Sequence, residues 1–251
     1  MTPRYTHTLT AAALVCIVSI FGGCASSSPS SPSAERAKSI AQDASEQIAR
    51  MQAEDARRLR EALALGEEGD RAFAEAIALS ERGKDDQSRE AFADAVNFYS
   101  QAVSTYDEFF ALWNNLGTAL AALDRYQQAE EAYIRASNIN HSDPRPWYNR
   151  GLLWRNRGYP ADAKRYFEQA LERDPRYLDA LWGVIKADIT LGEESHQTLE
   201  LIRKTLFLET NPEHRQFLEL ERGRIRSKLG ISESSPRQTP EPSSPPAENG
   251  N

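Results

Sequence analysis

The chain has 251 residues, with 30 Lys and Arg against 37 Asp and Glu, a formal net charge of -7 and a pI near 5.3. Nucleic-acid binding needs a basic face to replace phosphate counterions, so this balance excludes that class. Once the two ends are set aside, the centre is long enough for a sizeable core, and its richness in Ala, Leu, Glu and Arg predicts an all-α fold.

At the N-terminus, Arg4 precedes an apolar run over residues 9–21 that includes Leu14, Val15, Ile17, Val18 and Ile20. A spanning helix needs ~20 apolar residues, so this shorter run reads as a signal-peptide core, with an uncleaved anchor as the competing reading. The run ends in Phe21-Gly22-Gly23-Cys24, followed by Ala25-Ser26-Ser27-Ser28-Pro29. That succession resembles a bacterial lipobox, with Phe21 standing where Leu or Val is usual. The resemblance implies removal of residues 1–23 and lipidation of Cys24, which anchors the mature chain in a membrane. A buried structural cysteine is the alternative role for Cys24. Ala25 after the cysteine resembles the outer-membrane sorting pattern of diderm bacteria, which implies a periplasm-facing location.

Residues 24–34 form a Ser/Pro linker that cannot bury enough apolar surface to offset chain entropy. Residues 35–66 carry a thin stripe of Ile40, Ile48, Met51, Leu59 and Leu63, mostly at helical spacing. They predict a solvated leading helix, with a coiled-coil segment as the alternative because the a/d filling is sparse. Residues 231–251 contain five prolines among Ser and Glu and are expected to be disordered.

Between these segments a period of 34 residues recurs. It links Trp113 to Trp147, Gly117 to Gly151, Ala129 to Ala163, Tyr133 to Phe167 and Ala136 to Ala170. Small residues at the glycine and alanine places let two antiparallel helices approach closely. Trp113, Leu116 and Leu120, like Trp147 and Trp154, form a stripe directed at the aromatic of the partner helix. Trp, then Gly four residues later, then Ala, an aromatic and Ala resembles the tetratricopeptide repeat. The resemblance implies a right-handed superhelical stack of antiparallel helix pairs, occupying residues 67–210 as three to four repeats.

An earlier copy is read from Ala95, Tyr99 and Ala102 in a second helix over residues 92–106. Its first helix is predicted at residues 70–82, with Phe73, Ile77 and Leu79 inward and a longer turn over residues 83–87. A looser copy starts at Leu178, with Leu181 at the Trp place and Gly183 ahead of the glycine place. Asp143-Pro144, Asp174-Pro175 and Asn211-Pro212 are expected to begin helices, and Gly158 and Gly192 to mark turns. Residues 211–230 then read as a charged helix with Phe217, Leu218 and Leu220 that caps the stack.

In such a stack the first helices line a groove. Offsetting one residue from the buried stripe gives Asn114, Thr118 and Ala121, then Tyr148, Leu152 and Arg155, then Trp182, Lys186 and Ile189. Asn115, Arg145 and Asn149 border these, and Asn at this place resembles the peptide-backbone contacts of the repeat family. The groove predicts an extended peptide or an acidic chain end as ligand, with Tyr148 and Trp182 as apolar anchors and Arg155 and Lys186 pairing carboxylates. Trp182 as core in a slipped register is the plain alternative.

No zinc-type spacing, glycine-rich phosphate loop or nucleophile elbow is present, so neither a cofactor nor catalysis is expected. Glu67-Glu68, Glu130-Glu131 and Glu193-Glu194 read as solvated faces. The expected function is a membrane-anchored adaptor that binds envelope proteins or peptides, in assembly of an envelope complex. An oligomerising stalk and a small-ligand-binding accessory of a transporter or enzyme are the alternatives.

Overall fold

The computed structural model describes residues 32–231. The signal segment, Cys24 and most of the linker and tail readings lie outside them. The described residues form nine α-helices and no strand: α1 (Pro32–Glu81), α2 (Asp85–Thr105), α3 (Phe110–Ala122), α4 (Tyr126–Ile139), α5 (Arg145–Asn156), α6 (Pro160–Arg173), α7 (Leu178–Leu191), α8 (His196–Leu208) and α9 (Pro212–Lys228). The chain divides into two units at Glu54 and Asp55. In the first, Ile40, Ile48 and Met51 of the helix are all exposed. The second holds every buried apolar side chain among the described residues, so it contains what it needs to fold by itself.

Within the second unit, the end of α1 pairs with α2, α3 with α4, α5 with α6 and α7 with α8, each through a tight turn. The same backbone closure recurs in all four turns: Lys84 N donates to Leu79 O, Arg125 N to Leu120 O, Tyr159 N to Trp154 O and Glu193 N to Asp188 O, each at 3.0 Å. Gly158 and Gly192 take the left-handed backbone there, as predicted, and Asp124 does so in the α3–α4 turn with φ 61°. The last three closures follow one another at 34 residues, whereas the first precedes the second by 41. The extra seven residues, nearly two turns, lengthen α2 to 21 residues against 14 in α4.

The small residues of the period do what the spacing requires. A Cβ on Gly117 would lie 2.6 Å from Tyr133, and one on Gly151 would lie 2.4 Å from Phe167. Ala129, Ala136, Ala163 and Ala170 are fully buried, as are Ala95 and Ala102 of the earlier copy.

Several boundaries differ from expectation. The leading helix does not stop at Gly66 but runs on as the first helix of the first pair, and it starts at Pro32, inside the predicted linker. Gly66 and Gly69 are helical because they face Leu112 and Tyr99, each 2.7 Å from where a Cβ would be; Gly69 is thus the glycine of the first crossing. Ile77 is exposed rather than inward, and the predicted long turn shrinks to residues 82–84. Asn211 caps α9 by accepting from Glu213 N and His214 N. Asp143 and Asp174 instead hold turns before their helices, accepting from Arg145 N and Arg176 N at 2.9 Å, so α7 begins only at Leu178.

In the last pair the slip lies in the second helix. Ile185 occupies the glycine place of the period, and Gly183 packs against Phe167 of the preceding pair, 2.6 Å from a built Cβ. Helix α8 starts at His196 with a Ser195–Thr198 capping box, so its buried face is Thr198, Ile202 and Thr205. These are each one residue beyond the places of Ala163, Phe167 and Ala170.

Two acidic pairs read as solvated are also structural in part. The Arg150 guanidinium, 11% exposed, donates to Glu130 at 2.9 Å and to the Tyr166 hydroxyl at 2.8 Å, and it lies over the Trp147 and Tyr166 rings. Glu194 is buried and pairs with Arg224 at 2.7 Å and Lys228 at 2.5 Å, which ties α9 to the turn before α8. These two partners hold its carboxyl down to about 2.

Candidate functional site

Helix α3 packs on α5 and α5 on α7, so the first helices of successive pairs lie side by side on one face. At the end of this row, α5, α7 and α9 enclose a cleft of about 420 Å³. Tyr148 and Arg155 come from α5, Trp182 and Lys186 from α7, and His214 and Phe217 from α9. Steps of seven, four and three residues place each set on one side of its helix.

The floor is aromatic. Trp182 lies 5.4 Å from the His214 ring and 5.8 Å from Phe217, and Tyr148 lies 5.6 Å from Phe167 and 5.4 Å from Tyr177. The Trp182 indole is fixed by donation from Nε1 to Glu209 Oε2 at 3.0 Å. Glu209, buried at the end of α8, also accepts from Asn211 N at 2.9 Å and contacts His214 Nδ1 at 3.1 Å. The Asn211 N–H, with help from Trp182 and His214, holds the Glu209 carboxyl below the usual carboxylate range despite burial. Burial and the Asp179 carboxylate raise the Tyr148 phenol, and they push Tyr177 up to about 12, so both rings are neutral at physiological pH.

The rim carries both signs. Lys186 Nζ sits 5.2 Å above the Trp182 ring, and Arg155 bonds only its neighbour Asn156, at 3.3 Å, so both cations face the opening without a carboxylate partner among the described residues. Asp179 and Glu213 also line the cleft. A ligand is therefore offered an apolar floor with two cations and two anions around it, a pattern suited to a peptide with a hydrophobic side chain flanked by charge.

Of the predicted groove residues, Tyr148, Arg155, Trp182 and Lys186 share this cleft. The asparagines do not face it. Asn114 is buried and accepts from Asn149 Nδ2 at 2.9 Å, while Asn115 donates to Asp70 at 3.2 Å. Thr118 donates to Asn114 O at 3.0 Å and meets the Tyr133 hydroxyl at 3.3 Å. This row of hydrogen bonds joins α1, α3 and α5, leaving these groups committed to one another rather than to a ligand. Leu152 packs against Phe167 and Val184, and Arg145 forms a bidentate pair with Asp143 at 2.9 and 2.8 Å beneath its contact with Phe110. His214 and Phe217 were missed because α9 read only as a cap; the signal available was an aromatic, Phe217, in the second turn of a helix whose buried side already held Leu218.

Residues 110–142 and 144–177 each match the family described as Tetratricopeptide repeat. Two of the chain's helix pairs match this repeat. The chain is 27% identical over 96 residues to human Tetratricopeptide repeat protein 28, a match covering 38% of this chain and 4% of that protein. It is 29% identical over 90 residues to human Protein O-mannosyl-transferase TMTC3, covering 36% of this chain and 10% of that one. The chain thus spans only a small part of these relatives. Among solved structures, that of Pseudomonas aeruginosa pilF is 16% identical, with 67% of this chain and 87% of that chain covered and a TM-score of 0.46. The first repeat domain of Spaghetti (RPAP3) bound to an HSP90 peptide is 22% identical, covering 53% and 94%, with a TM-score of 0.43. The two matched repeats are the α3–α4 and α5–α6 pairs, and the cleft lies at the C-terminal edge of the second.

Proposed function

We propose that the chain is a non-enzymatic adaptor that grips a segment of another protein in the cleft between α5, α7 and α9. The observation that carries this reading is the cleft itself: an aromatic floor fixed by a buried Glu209 network, with unpaired Arg155 and Lys186 at its opening. Extended segments with one apolar side chain between charges fit such a surface. Recovery of a partner from native membranes by crosslinking is expected for the unaltered chain and at least ~tenfold less for Tyr148→Ala combined with Phe217→Ala, since two aromatic anchors are removed. Equal recovery from both would move the site elsewhere.

The same reading keeps the chain at an envelope membrane by acylation of Cys24, supported by the run of small residues and the linker around it. Incorporation of a labelled fatty acid that persists in Cys24→Ser would rule this out. A stalk reading draws on one observation, the exposed Ile40, Ile48 and Met51 of the first unit. Light scattering of the chain from Pro32 onward decides it, because a monomer excludes pairing through that stripe.

A further inference from the structure

Phe207, at the end of α8, is 84% exposed, more than any other large apolar side chain exposed among the described residues. It lies away from the adaptor cleft, on a surface built by α8, the turn between α6 and α7, and α9, beside a depression of about 700 Å³. Pro175 and Leu208 continue the apolar surface. Around it stand Arg176, Arg203, Lys204 and Arg222, with Glu219 beside Arg222 and Glu200 on Arg203, in a chain whose net charge is -7.

The shift of α8 by one residue creates this surface. Lys204 occupies the place held by the buried Ala136 and Ala170 in earlier pairs, and the shift turns it outward in favour of Thr205. Arg203 is balanced by Glu200 at 2.7 Å and Arg222 by Glu219 at 2.6 Å. The side chains of Arg176 and Lys204 have no ion pair among the described residues, so the surface keeps uncompensated positive charge beside a protruding ring.

We propose that this face seats on an anionic phospholipid bilayer, with Phe207 entering the boundary between headgroups and acyl chains and the uncompensated Arg176 and Lys204 meeting lipid phosphates. A projecting ring can sink into the soft boundary of a bilayer without a preformed pocket. Long cationic side chains around it fit a layer of phosphates, which requires no fixed register, better than a single peptide strand. The overall negative charge does not prevent this, because at ~0.1 M salt interactions are screened beyond ~10 Å and the local patch decides.

The test is cosedimentation of the chain from Pro32 onward, which lacks the N-terminal apolar run and Cys24, with phosphatidylcholine vesicles and with vesicles partly replaced by phosphatidylglycerol. Binding is expected only to the anionic vesicles, and Phe207→Ser combined with Lys204→Glu is expected to lower the bound fraction at least ~tenfold without changing the melting temperature. Tyr148→Ala with Phe217→Ala should leave vesicle binding intact, which separates this face from the adaptor cleft. Absence of binding to anionic vesicles, or equal binding by the Phe207/Lys204 variant, overturns the proposal. So does binding of soluble polyglutamate, but not vesicles, through the same two residues, which would assign the face to an acidic protein.

Discussion

The tightest constraint in the fold is the space left by single hydrogen atoms. A Cβ on Gly151 would stand 2.4 Å from the Phe167 ring, and both helices are held by neighbours, so neither can retreat freely. Gly151→Ala is expected to cost about 1–3 kcal/mol by overpacking, read as a lower midpoint in denaturant; an unchanged midpoint would mean the crossing is loose. Arg150 poses the opposite problem, a buried charge. Glu130→Ala leaves its guanidinium unpaired between two rings and is expected to destabilise by about 3–5 kcal/mol, while Glu131→Ala, on the exposed side of the same helix, should change stability little. Glu194 carries a pH dependence. Its carboxyl titrates at about 2 against an ordinary 4.5, so its contribution is present above pH 4.5 and is lost as pH falls toward 2. In Glu194→Gln, the loss of stability between pH 5 and pH 3 should be smaller than in the unaltered chain; equal losses would remove Glu194 from the acid response.

At the scale of the helix pair, the 34-residue period was legible because it is written in residues that only one geometry explains. Gly117 and Gly151 have no role on an exposed face, and the aromatic that fills the space beside each recurs at the same offset. The first and last pairs were harder for opposite reasons. Gly66 and Gly69 looked like a helix end, since glycine is costly in a helix; only the facing Leu112 and Tyr99 reveal that they relieve a collision. In α8 the buried residues are Thr198, Ile202 and Thr205, whose mixed polarity hides the period. The groove was half legible. Helical offset found Tyr148, Arg155, Trp182 and Lys186, but it could not foresee that Asn114 and Asn149 bond each other, or that α9 supplies the third wall. The clamp on α9 gives an element-level prediction. Arg224→Ala with Lys228→Ala frees Glu194, and amide exchange over residues 212–228 is expected to speed up while exchange in α3 and α4 stays as it is.

For the whole molecule, the central claim is that the row of first helices ends in a recognition cleft rather than in a mere solubilising cap. Repeats of this kind stabilise through neighbour contacts, so the last repeat needs some cover, and α9 provides it with Leu218 and Ile225 fully buried. Covering alone does not explain Phe217 and His214 turned toward Trp182, nor cations left unpaired at the opening. Photocrosslinking from single positions tests the distinction most directly. With the photoreactive residue at Arg155 or at Lys186, one partner band is expected from native membranes, and none with it at Glu131 or Glu172 on the second helices. Adducts from Glu131 or Glu172 with none from Arg155 and Lys186 would contradict the account.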